Sequence, residues 1–209
     1  MSKAQSKPGG NPRGRPKAFS EKEALDAAMK VFADKGYEGA SLFDLTRAMG
    51  INRTSLYATF GNKEALFRKA LDQYTAQMHA FLDGCMKMPT ALEGMRSILA
   101  HGVEMFTDPE GPGACLMVRG PLTGSESNKD IQDYFTKKRA QVEQILKERF
   151  QKAKDEGELP PQADPTDMAR FYYVVMQGIG LQAYHGGTRE QLMGVAQVAL
   201  NQWPKKEGA

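Results

Sequence analysis

Cysteine is nearly absent: Cys85 and Cys115 are the two in 209 residues, and no CxxC spacing occurs. Two such thiols cannot form a disulfide framework, so a packed core must hold the fold, and the expected setting is a reduced cytoplasm. Long apolar runs are lacking too. No stretch approaches the roughly 18 residues that cross a bilayer, so no membrane partner is expected. The basic N-terminus, MSKAQSKPGGNPRGRPKAF, lacks the apolar segment of a secretory signal. Histidine is scarce, and His79, His101 and His185 form no HExxH pair. A GxSxG elbow, a Walker loop and a Rossmann glycine fingerprint are also missing. These absences argue against an enzyme, a resident metal or a cofactor. Strand-like alternation is missing as well, which predicts an all-α fold of about nine helices.

What is present is concentrated between Ser41 and Lys63, SLFDLTRAMGINRTSLYATFGNK. Leu42, Leu45 and Met49 fall at i, i+3 and i+7 and predict one buried helical face. Gly50 stands where a helix end needs positive φ. Ile51 then fills the corner, and Asn52 caps a second helix that buries Leu56 and Phe60. The outer side of that helix carries Arg53, Thr54, Ser55, Tyr57 and Thr59. Two short helices over a glycine turn, the second polar outside, form a helix-turn-helix at 41–60 whose expected partner is double-stranded DNA. Charge agrees: residues 1–80 hold 13 Lys+Arg against 8 Asp+Glu, and 81–209 hold 15 against 17, hence +5 and −2. A polyanion suits one end only.

The stretches ALDAAMKVFADKGYEGAS (24–41) and DLTRAMGINRTSLYATFGNKEALF (44–67) resemble the DNA-binding domain of the TetR family of bacterial transcriptional regulators. The most specific part is the aromatic-x-x-Phe of Tyr57 to Phe60, followed closely by Lys63-Glu-x-Leu66. The resemblance covers about 18–78. It implies a homodimer joined through the last two helices, a palindromic operator, and a small-molecule effector held within 79–209.

Residues 1–17 contain five basic residues, no acid and several Gly and Pro, which predicts a disordered basic arm. Arg13, Arg15 and Lys17 are its candidate DNA contacts. On the helix-turn-helix, Arg53 is placed to read a base and Tyr57 and Lys63 to hold the backbone. Thr54 and Ser55 suit either role. Ser41 is a helix cap that could also meet phosphate.

Further helices are expected from about Pro89 to Phe106, Ala114 to Leu122, Asn128 to Asp155, Asp164 to Tyr184 and Thr188 to Trp203. The last two, containing FYYVVMQGIGLQAY and LMGVAQVALNQW, carry almost no charge and require a cover. The expected dimer seam is Val174, Gly178, Leu181, Val195, Val198 and Trp203. Candidate effector contacts are Met95, Leu99, Phe106, Tyr134, Phe171 and Met176, which suit an apolar or aromatic molecule. Cys115, behind Gly-Pro-Gly-Ala, offers another trigger, through oxidation, an electrophile or Cu(I). A third reading is constitutive DNA binding by a chain whose C-terminal part only dimerises.

Overall fold

The structure is a computed structural model, which describes residues 20–109 and 129–205. These residues form eight helices and no strand: α1 Glu21–Gly39, α2 Leu42–Ala48, α3 Arg53–Phe60, α4 Lys63–Met86, α5 Ala91–Thr107, α6 Lys129–Asp155, α7 Pro165–Tyr184 and α8 Arg189–Asn201. The helix expected at Ala114 to Leu122 lies outside the described residues. Gly36 takes φ 71° and breaks the regular path of α1, while helical bonding continues to Gly39. Reciprocal caps open α5, with Thr90 and Glu93, and α8, with Thr188 and Gln191. Asp164 opens α7 by accepting from the Thr166 and Asp167 amides, with Pro165 behind it. Among the described residues no helix is long and apolar enough to cross a membrane.

Two cores organise the chain. The first lies under α1 to α3 and the start of α4, and buries Phe32, Leu45, Leu56, Phe60, Phe67 and Leu71. Phe67 packs edge-on to Phe32 at 4.9 Å between centroids. The second gathers the end of α4 with α5 to α8 around Leu82, Met95, Leu99, Leu146, Phe150 and Tyr172. Trp203, expected in the dimer seam, is half-buried against this core. Its ring lies 5.6 Å from Phe150 and 5.5 Å from Tyr172, because the chain past α8 folds back over that core. The end of α4 and the start of α5 meet closely at Gly94, where a Cβ would stand 2.5 Å from the Cys85 carbonyl oxygen. Cys85 itself is buried there, a small apolar filler.

The two cores are joined twice. α4 runs through both, and Phe135 of α6 is buried in the first, 5.8 Å from Phe67. Beside it the Tyr134 hydroxyl donates to the Asp72 carboxylate, and Lys138 Nζ lies 3.2 Å from the same group. Burial and the Asp72 hydrogen bond push the Tyr134 phenol well above its ordinary pKa.

Arg149 is the buried charge of the second core. Its guanidinium donates to Glu158 at 3.0 Å, and the other Glu158 oxygen accepts from the Ala91 amide at 2.7 Å. Glu158 thus ties α6 to the first turn of α5. The Arg149 side chain is 5 % exposed, so loss of its partner leaves an uncompensated buried cation. Glu158→Ala is expected to lower unfolding stability by about 3–5 kcal/mol, read as a lower urea midpoint. Arg149→Met, which removes the charge, is expected to cost less. A shift under about 1 kcal/mol for Glu158→Ala would show that the pair behaves as a surface bridge.

Candidate DNA interface and effector cavity

Local bonds set the helix-turn-helix. Ser41 Oγ accepts from the Asp44 amide at 3.1 Å and donates to the Asp44 carboxylate at 2.6 Å, so the single hydroxyl proton of Ser41 is committed to the cap. Lys35 Nζ reaches the other Asp44 oxygen at 2.6 Å and ties α2 to α1. These hydrogen bonds, Lys35 first, hold the Asp44 carboxyl at about 2. Gly50 turns the chain at φ 64°, and Asn52 Oδ1 accepts from the Ser55 amide at 2.8 Å to start α3. With Leu56 and Phe60 buried beneath, Arg53, Thr54 and Tyr57 face outward, and Ser55 and Thr59 are half-buried.

Lys63 is held in place. Its Nζ lies 4.7 Å from the Tyr37 ring centroid and donates to the Glu38 carbonyl at 3.4 Å. Burial pushes the ammonium below the ordinary lysine value, against the opposing pull of Glu38. Arg13, Arg15 and Lys17 lie outside the described residues. Sequence reasoning missed Phe43 and Arg47, both exposed on α2. For Phe43 the available signal is its helical angle, which places it off the face of Leu42 and Leu45.

A cavity opens in the second core. Its walls are Tyr74, Met78 and Phe81 from α4, Leu99, His101, Met105 and Phe106 from α5, Val142 from α6, and Tyr173, Met176 and Gln177 from α7. None of the lining residues is Asp, Glu, Lys or Arg. The Phe81 and His101 rings pack at a tilt of 32°, 4.1 Å between centroids. The cavity volume is about 80 Å³, a tight space that three flexible methionines can relax.

Of the residues expected here, Leu99, Phe106 and Met176 line the cavity. Met95 does not, being fully buried in the core beside it. Tyr134 is turned to Asp72 at the junction of the cores, and Phe171 stands 44 % exposed on the far side of α7. Cys115 lies outside the described residues. The wall that sequence reasoning missed is α4, where Tyr74, Met78 and Phe81 sit at i, i+4 and i+7. That stripe was legible, but only α5 and α7 lining the same hollow make it a wall.

The outer faces of α7 and α8 are bare. Val174 is 59 % exposed and Val198 63 %, with Phe171 and Val195 beside them and Leu181 half-buried. A Cβ at Gly178 or Gly194 would meet nothing within 4 Å, so another helix could approach closely at both points.

A capped helix pair with its polar side outward is the form that enters a major groove. Fold and site together define a helix-turn-helix transcriptional regulator. Residues 24–70 match the model of the bacterial regulatory proteins of the tetR family, and 91–198 match the tetracyclin repressor-like C-terminal domain. The chain therefore belongs to the TetR family of bacterial transcriptional regulators, which are DNA-binding proteins and not enzymes. It is 35% identical over 195 residues to the HTH-type transcriptional repressor ComR of Escherichia coli K12, covering 92% of this chain and 93% of that one. It also resembles a CifR cysteine mutant solved with 26-bp operator DNA, at TM-score 0.85 and 39% identity over 91% of this chain and 100% of that one. A TetR regulator from Rhodococcus matches at TM-score 0.62 and 38% identity, over 88% of this chain and all of that one.

The Asp44 cluster sets an acid limit on the head. A carboxyl held at about 2, against an ordinary 3.8, stabilises the fold above pH 4 and loses that contribution as pH falls from 4 to 2. Asp44→Asn is expected to melt below the native protein at pH 6, and the gap should close by pH 2. A gap of constant size across that range would remove the charge from the account.

Proposed function

We propose that the protein is a dimeric cytoplasmic repressor that leaves a palindromic operator when a small uncharged apolar or aromatic molecule enters the cavity. The observation that carries this reading is α4, a 24-residue helix that starts at the DNA head and ends as a cavity wall. At 1.5 Å per residue it spans about 36 Å, so a shift at Met78 or Phe81 is delivered at Lys63. The effector must bind the operator-free arrangement better than the bound one, or it shifts nothing. In this reading 1–17 is a basic arm, 18–78 the DNA-binding head, and 79–209 the effector and dimer part. Arg53 reads a base edge, Thr54 and Ser55 meet bases or phosphate, and Tyr57 and Lys63 hold the backbone. Arg13, Arg15 and Lys17 follow the adjoining groove, and Ser41 is left to its cap. The name repressor belongs to ComR and the bound operator to CifR, and both support the same role for this chain.

A second reading places the trigger at Cys115. The CifR structures were solved as cysteine mutants, which draws attention to thiols in that relative. One comparison separates the two. Met176→Trp, which fills the cavity, is expected to stay on the operator at ligand concentrations that strip the native protein, while Cys115→Ser still releases. The reverse pattern in a gel-shift titration would transfer the switch to the thiol.

Dimerisation rests on the bare face of α7 and α8. Val198→Glu places a charge in the seam and is expected to give a monomer in sedimentation. Its operator affinity should fall at least tenfold, the equivalent of about 1.4 kcal/mol, because the two heads are no longer joined. A dimer that persists would locate the interface elsewhere.

A further inference from the structure

Seven large apolar side chains are exposed among the described residues, and they are not scattered. Phe171, Val174, Tyr184, Val195 and Val198 lie on α7 and α8. Phe43 and Tyr57 lie on the two helices of the helix-turn-helix. Phe43 is the most open of the seven, at 65 %. It occupies the first turn of α2, away from Leu45 and Met49, which are buried beneath that helix. It is also not among the side chains packed against the head core. Arg47 stands exposed one turn further along the same side.

In a helix-turn-helix the first helix crosses the sugar–phosphate backbone while the second enters the groove. The outer side of α2 therefore continues the DNA face of α3. A phenyl ring there cannot bond a phosphate. It can cover carbon, either the C5-methyl of a thymine or the apolar face of a deoxyribose. The guanidinium of Arg47 supplies the charge that the neighbouring phosphate calls for.

We propose that Phe43 is an apolar contact to the duplex, flanked by Arg47, which gives operator binding a component that salt does not screen. The inference rests on DNA binding by the helix-turn-helix and on neither the effector nor the dimer seam. The probe is a duplex recovered from a random library by the full-length protein, titrated by fluorescence anisotropy at several salt concentrations. Phe43→Ala is expected to bind about fivefold more weakly, the loss from uncovering part of one ring. Its slope of log Kd against log salt should be unchanged, and Phe43→Leu should recover most of the affinity. Arg47→Ala should instead flatten the slope by about one phosphate.

Replacing thymines singly by deoxyuridine then finds the carbon partner. A position that matters to the native protein but not to Phe43→Ala places the ring on that methyl. A fivefold loss with no such position places it on deoxyribose, and either result upholds the contact. Native affinity for Phe43→Ala, with a melting curve that shows it folded, would overturn the proposal. So would a loss accompanied by a changed salt slope, or by a changed oligomeric state in sedimentation. General failure of the native protein to select any duplex would instead reject DNA recognition itself.

Discussion

Burial along α4 is the constraint on which the rest depends. Leu66, Phe67, Ala70 and Leu71 hold its first half in one core, and Leu82 and Cys85 hold its end in the other. Tyr74 belongs to both settings, packed against the head core and lining the cavity. A helix fixed at both ends by close-packed side chains cannot shift at one end alone without opening a void at the other. Phe135 strengthens this by anchoring α6 in the head core as well. The head therefore sits on two supports, and its direction is set by how both meet the second core.

Charge is kept out of the cavity and used at the joints. The cavity walls carry none, whereas ion pairs stand where elements meet: Lys35 with Asp44, Lys138 with Asp72, Arg149 with Glu158, and Arg189 with Glu104. The last of these joins the start of α8 to α5, and the Arg189 guanidinium holds the Glu104 carboxyl below its ordinary value. An uncharged cavity selects against ions by desolvation alone, since a buried charge without a partner is costly. Specificity for a neutral guest thus needs no dedicated group. What remains to orient a guest is the amide of Gln177, the ring of His101 and two tyrosines.

The helix-turn-helix was legible because its determinants are local. Asn52 caps within three residues, Gly50 turns within one, and Leu45, Met49, Leu56 and Phe60 declare their faces by spacing. The C-terminal helices were legible for the same reason, through Asp164 with Pro165 and through Thr188 with Gln191. The cavity was not, because a stripe such as Leu99, Phe106 and Met176 looks the same whether it lines a hollow or fills a core. Met95 and Leu99 show the limit, four residues apart on one helix, one in the core and the other in the wall. Tyr134 and Phe171 misled for a related reason. An aromatic at helical spacing does not say what it will meet: Tyr134 meets Asp72 at the junction, and Phe171 stands on an outward face. Trp203 packs back on Phe150 and Tyr172, and no local pattern around it shows that contact.

α7 has two working sides, and this bears on how a cavity could act on DNA. Tyr173 and Met176 face the cavity, while Val174 and Gly178 stand on the bare outer face. In the proposed dimer, a guest that moves the inner side must move the seam or be resisted by it. In the proposed switch α4 would carry displacement to a single head, and α7 would convert it into a change between two heads. A palindromic site is sensitive to that change, because its half-sites are one helical turn apart. Such coupling is reciprocal: whatever factor the guest takes from operator affinity, the operator takes from the affinity for the guest. A guest that fits the operator-bound cavity equally well would fill it and do nothing, so under the proposed function a small hollow would favour discrimination. Entry that requires Met78, Met105 or Met176 to move is entry that distinguishes the two arrangements.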